Sequence, residues 1–144
     1  MTVISIIIFV TTTTLIYVIQ SDFRKKKIPN TASVLLLINS TLYCGFNGYW
    51  MQWLIVVPVF LFGLLLWRLS IWGAGDAKLL AGVSPMISLD HFVATLLLIA
   101  FLGGALSVVI FVSSRLKKNR VYIHIPYGIP ISIGCWLGII ASIP

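Results

Sequence analysis

Charge is scarce in this sequence. Of 144 residues only 9% are charged, and the acids number three: Asp22, Asp76 and Asp90. An average soluble domain carries about 25% charged residues, and a small domain leaves much of its surface wet. With 60% apolar residues and a mean hydropathy of +1.09, the chain cannot hide its apolar surface from water, so its main solvent must be lipid. Cysteine is nearly absent as well. Cys44 and Cys135 stand far apart in apolar stretches and form no Cys-x-x-Cys pair, which leaves zinc ribbons and thiol redox motifs unsupported and suits two small buried hydrophobes. His91 and His124 have no cluster of acids or cysteines around them and no serine partner arrangement. No metal, no cofactor and no nucleic-acid partner are therefore expected.

What the chain does have is long apolar runs, at residues 3–21, 31–46, 50–72, 77–89, 92–114 and 125–143. At about 20 residues per span, this predicts an all-α membrane protein with six transmembrane helices in one polytopic domain over residues 1–144, with no soluble domain attached. The first run has its basic residues after it, in Arg24-Lys25-Lys26-Lys27, the reverse of a signal peptide, so it reads as a retained helix. With both termini outside, the connections after the first, third and fifth helices are cytoplasmic. They hold Arg24 to Lys27, Lys78, Arg115, Lys117, Lys118 and Arg120, with Arg68 reaching toward the same face. All ten basic residues then lie on one side, as the positive-inside rule requires. Trp50, Trp53, Trp67 and Trp72 fall near predicted span ends as interfacial anchors; Trp136 does not. The fourth run is too short for a ~30 Å hydrocarbon core, and Pro85 kinks it further. Either the membrane thins there, or the segment 73–76 enters as irregular backbone shielded by other helices. Gly103-Gly104 reads as a close helix contact, and Pro29-Asn30 as a turn and cap before the second helix.

The chemistry rests on the acids. Asp22 ends the first helix and Asp76 opens the fourth, at one depth on the cytoplasmic face, so the two meet if those helices pack together. Asp90, beside His91, reads as a solvated charge in an outer loop. Asp76 closes Gly73-Ala74-Gly75-Asp76, whose glycines permit close backbone approach. Two carboxylates sharing a site cannot both ionise easily. One then draws a proton from water while the other, protonated, polarises a scissile carbonyl. The helix ends predict Asp76 as the base and Asp22 as the acid, because the dipole favours an anion at an N-terminus and opposes it at a C-terminus. Intramembrane acids also mark ion routes, so the alternative is a small non-enzymatic transporter or assembly subunit using the aspartates for proton or cation passage.

Three segments resemble the prepilin peptidases, the Gly-x-Gly-Asp membrane aspartyl proteases. They are Asp22-Phe23-Arg24 with Ile28-Pro29-Asn30, Gly73-Ala74-Gly75-Asp76-Ala77-Lys78, and Ile125-Pro126-Tyr127-Gly128. In particular the chain is similar to the small members that serve tight-adherence (Tad/Flp-type) pili and related type IV pili. The resemblance implies catalytic Asp22 and Asp76 and a supporting motif of Gly73, Gly75 and Lys78, with Pro126 and Gly128 shaping the site. It implies a prepilin or pseudopilin precursor as substrate, cut at the cytoplasmic face of a bacterial inner membrane. Larger relatives add a cytoplasmic segment with paired Cys-x-x-Cys motifs and methylate the product. That segment is missing here, which predicts peptidase activity without methyl transfer or zinc. Archaeal preflagellin peptidases share the Gly-x-Gly-Asp arrangement, so the resemblance leaves both substrate types open. Lys78 reads equally as a stabiliser of ionised Asp76 or as an interfacial anchor. Pro126 and Gly128 read equally as an ordinary first helical turn.

Overall fold

A computed structural model describes residues 3–70, 72–116 and 126–143. Among these the chain forms six α-helices and no strand: α1 (Val3–Lys25), α2 (Asn30–Asn47), α3 (Val56–Arg68), α4 (Ala74–Val83), α5 (Leu89–Leu116) and α6 (Gly128–Ala141). Short 3₁₀ segments precede α3 (Trp50–Ile55) and follow α4 (Ser84–Met86). Three helical stretches are long and apolar enough to cross a membrane: Val3–Lys25, Trp50–Arg68 and Leu89–Arg115. The helix α6 is apolar but shorter. The remaining two fall short for different reasons. The helix α2 is interrupted by Asn39 and bounded by Asn30 and Asn47, while α4 has only 10 residues.

The short α4 is the centre of the bundle. From Asp76 to Ile87 every residue except Lys78 is buried, and α2, α3 and α6 lie against it. A helix apolar all round is stable only inside other protein or lipid. The helix α1 packs between α2 and α6, and α5 leans chiefly on α6. Small residues set these contacts. A Cβ on Gly63 of α3 would stand 2.5 Å from the Ala77 Cβ of α4, and one on Gly82 would stand 3.0 Å from the Ser33 carbonyl of α2. On α6, Gly134 and Gly138 press against Ile99 and Thr95 of α5. Of the glycine pair in α5, only Gly103 makes the expected close contact, with the start of α6. Gly103 receives the Tyr127 ring, while Gly104 faces open space.

The threonine hydroxyls of α1 are met locally. The β-branched run Thr11–Thr14 fits a helix in apolar surroundings because each hydroxyl donates to a carbonyl three or four residues earlier, on Ile7, Ile8 or Val10. Trp136, the tryptophan away from any predicted span end, donates its indole N–H to Thr12 Oγ1 at 3.2 Å, as a partly covered indole should. Cys44 also does more than fill space, because its thiol meets the Pro85 carbonyl at 3.4 Å.

Several boundaries differ from the sequence reading. The first helix continues past Ser21 to Lys25, so Asp22 sits within its last turn. The helix α4 starts at Ala74 and tightens at Ser84, where Pro85 ends it rather than kinking it. The segment 73–76 is therefore mostly helix, and irregular backbone lies just before it at Leu69, Ser70 and Trp72. Asp90 lies in the first turn of α5, not in a loop, where the dipole favours it. Pro29 takes the cap position of α2 and Asn30 is its first residue, with no side-chain cap. Pro126 precedes α6, and the proline of its first turn is Pro130. Lys117, Lys118, Arg120, His124 and Ile125 lie outside the described residues.

The packing makes a prediction. Gly63→Ala overpacks the α3–α4 crossing and destabilises the protein by about 1–3 kcal/mol, whereas Gly104→Ala is neutral or stabilising, since alanine gains up to about 1 kcal/mol in a helix. Unfolding in detergent checks this, and equal midpoints for the two variants would contradict it.

Candidate active site

The chain returns on itself sharply after Asp22. The Lys26 N–H donates to the Asp22 carbonyl at 2.9 Å, and Lys26 itself adopts φ 52°, the left-handed helix end usually given to glycine. A lysine there costs about 1–3 kcal/mol. Ser21 steadies the turn by donating to the Lys27 carbonyl at 3.0 Å. The turn delivers Ile28 to the starts of α4 and α6. A Cβ on Gly75 or on Gly128 would lie 3.1 Å from Ile28 atoms, so both glycines are small because the isoleucine fills their space.

Both carboxylates are buried and both are held by backbone. Asp22 is 4% exposed and Asp76 is 7% exposed. The Gly128 N–H donates to Asp22 Oδ2 at 2.8 Å, and the Gly73 N–H donates to Asp76 Oδ2 at 2.9 Å. Each amide belongs to the N-terminus of a helix, α6 for Asp22 and α4 for Asp76. The expected asymmetry of helix ends therefore loses its basis. Asp22 ends α1, where the dipole opposes its charge, yet it also faces the start of α6, where the dipole favours it. The same two glycines leave room for the acids they hold. A Cβ would stand 2.8 Å from Asp22 Oδ2 on Gly128 and 3.0 Å from Asp76 Oδ2 on Gly73.

Asp22 and Asp76 line one cavity of about 310 Å³, together with Lys26, Lys27, Ile28, Asn30, Gly73, Ala74, Gly75, Lys78 and Tyr127. Of the residues singled out from the sequence, Asp22, Asp76, Gly73, Gly75 and Lys78 are on its wall, and Gly128 reaches it through Asp22. Pro126 lies just ahead of α6 and does not line it. The Lys78 ammonium donates to Asn30 Oδ1 at 3.2 Å. Asn30 thus serves the site rather than capping α2. Tyr127, Ile28, Asn30, Lys26 and Lys27 are wall residues that sequence reasoning did not single out as site residues. Their signal was proximity to the motifs, since each lies within or beside a quoted segment. Tyr127 is fixed by its ring against Gly103 and its hydroxyl 3.3 Å from Ser107 Oγ. Among the described residues no group of histidine, cysteine and acid side chains is arranged to hold a metal ion.

An all-helical chain with membrane-length apolar helices, and two buried carboxylates on one cavity wall, defines a class of membrane protein with an acid pair at one end of its bundle. Residues 9–108 match the type IV leader peptidase family, and the chain belongs to that family. Membership makes it a protease of the leader-peptidase kind, with prepilin-type substrates. The matched region contains Asp22 and Asp76, while Pro126, Tyr127 and Gly128 lie beyond it. Comparison with curated proteins and with solved structures gave no match.

The glycine amides lead to a second prediction. In Gly128→Ala the new methyl displaces Asp22 from its amide, and a hydrogen bond to a charged group is worth about 1.5–3 kcal/mol. Cleavage of a leader-bearing substrate should fall by about 10- to 100-fold at unchanged expression, with Gly104→Ala as the silent control. Full activity in Gly128→Ala would show that this bond does not position the acid.

Proposed function

We propose that the protein is a membrane aspartyl endopeptidase that removes the leader of type IV prepilin-like precursors of the Tad/Flp type, using Asp22 and Asp76 to activate water. The single observation that carries this reading is the shared cavity. Two carboxylates from helices far apart in sequence converge on about 310 Å³ of space. A water molecule fills roughly 30 Å³ of liquid, so an extended peptide group has room beside it.

The chemistry follows from two like charges on the wall of one cavity. Repulsion and burial oppose a doubly ionised pair, while each glycine amide favours the anion of the carboxylate it meets. The pair therefore shares one proton and titrates as a unit. The ionised member takes a proton from water as its oxygen attacks the scissile carbonyl carbon. The protonated member donates to the carbonyl oxygen as it becomes tetrahedral. Collapse of the intermediate breaks the C–N bond: the proton held by the pair passes to the leaving amine, and one hydroxyl proton of the intermediate returns to the ionised carboxylate, which restores the pair. Lys78, Lys26 and Lys27 bring positive charge to the wall and favour the singly ionised form.

In this reading all six helices traverse the bacterial inner membrane, both termini are outside, and the cavity faces the cytoplasm beside the basic turn after α1. The short α4 is buried among its neighbours, while α2 and α6 each leave an apolar face for lipid. The transporter alternative needs acids spaced through the bilayer as a relay. Asp22 and Asp76 share one end of the bundle, and Asp90 sits exposed at the start of α5, so no acid occupies the middle. That spacing favours hydrolysis.

The test is cleavage of a candidate prepilin in membranes. Asp22→Asn and Asp76→Asn should each abolish the shortened product with expression intact; normal cleavage by either variant would sink the pair. Lys78→Ala removes a cation from the wall and should move the acid limb of the pH–rate profile to higher pH. An unmoved profile would assign Lys78 to structure alone.

A further inference from the structure

A second cavity, of about 420 Å³, opens on the side of the bundle. Ser33 and Leu37 of α2, Val56 and Phe60 of α3, and Ala81 and Gly82 of α4 form its floor and walls. The helices α2 and α3 both rest on α4 without closing against each other along their lengths. Gly82 lets α2 approach α4 closely and deepens the groove at that point. Its outer edges are apolar and exposed: Val34 at 56%, Val57 at 57% and Leu61 at 60%. The surface around it is apolar too, so hydrophobicity alone does not set the groove apart. Two residues do. Asn30 and Lys78, joined by their 3.2 Å hydrogen bond, line both this groove and the cavity that holds Asp22 and Asp76.

We propose that this lateral groove seats an apolar helical segment of the peptide substrate, next to the bond that is cut, with the Asn30–Lys78 pair at the seam between the docked helix and the extended stretch in the catalytic cavity. The inference rests on the peptidase reading. A peptide must be extended to place its carbonyl between two carboxylates, whereas an apolar segment in lipid must be helical to satisfy its backbone. A substrate with both parts needs a helical seat and an extended seat in continuous contact. The polar cavity supplies the second, and the groove, sharing two wall residues with it, supplies the first. Docking of an apolar helix face into a groove is an established mode of peptide recognition. A lipid chain would fit the groove's chemistry but would gain nothing from its junction with the acids.

The experiment uses the full chain in proteoliposomes and two substrates. One carries the leader, the cleavage site and the apolar segment beside it; the other is a short water-soluble peptide spanning the cleavage site alone. Val34→Trp and Val57→Trp fill the groove from its exposed edges, and Leu97→Trp, at a position 67% exposed on α5, is the control. The groove variants should lower kcat/KM on the first substrate by about tenfold or more, chiefly through KM, and leave the short peptide unchanged. A photocrosslinker at position 57 in an Asp76→Asn background should also capture the apolar segment of uncleaved substrate, while one at position 97 should not. Equal behaviour of groove and control variants, a parallel loss on both substrates, or no selective capture would overturn the proposal. These results differ from a failure of the peptidase reading, in which Asp22→Asn or Asp76→Asn would still cleave.

Discussion

A carboxylate buried among apolar helices stays only if something other than water answers its charge. Here backbone amides at helix starts do so. Gly128 N–H holds Asp22 and Gly73 N–H holds Asp76, and each bond joins an acid to an end of α6 or α4. Much of the architecture at this end of the bundle follows from that need. The helix α6 must begin beside the last turn of α1, and the turn after Lys25 must stay tight enough to place Ile28 between Gly75 and Gly128. The left-handed Lys26 is one cost of that turn.

The opposite end of the bundle is organised by other means. The helix α4 stops after ten residues, well short of a membrane's depth, and its continuation as a 3₁₀ turn is buried. Cys44 meets the Pro85 carbonyl, and Ser142 at the end of α6 receives the Ser88 N–H. Shortness of the central helix is what places its first turn, with Asp76, at the same level as the last turn of α1. A longer α4 in the same sheath would carry its N-terminus past Asp22.

The sequence made the helices and the two acids readable, and left their anchoring hidden. Apolar runs bounded by Arg24–Lys27, Gly48 and Gly73 mark six helices because composition alone forces such runs out of water, though ends shifted by several residues at Ser21, Ala77 and Ile125. That Asp22 and Asp76 line one cavity agrees with their positions at helix ends. That Gly128 would donate to Asp22 did not follow, because it depends on how α6 docks against α1, more than a hundred residues apart in the chain. The dipole argument for unequal acids was incomplete for the same reason: it counted each carboxylate's own helix and not the start of α6 beside Asp22. Asn30 was read as a cap because caps are local, whereas its partner, Lys78, is supplied by packing. The role of Gly134 and Gly138 against α5 was missed because small residues look alike in sequence until a neighbour is known.

The anchoring of the acids by main chain has a consequence for how such a protein can diversify. A side-chain donor can be lost by one substitution, but every residue except proline carries an amide. At positions 73 and 128 the donor is therefore robust, while a Cβ there would crowd the carboxylate it serves, most tightly at 128. The rest of the wall is built from long, exchangeable side chains such as Lys26, Lys27 and Lys78, together with Asn30. Mutational drift can alter the chamber's lining, and with it the peptides accepted, while the two acids keep their supports. On the proposed function, the support of the reactive acids and the selection of peptides are thus written in separate materials, one in backbone and one in side chains, and can be inherited independently.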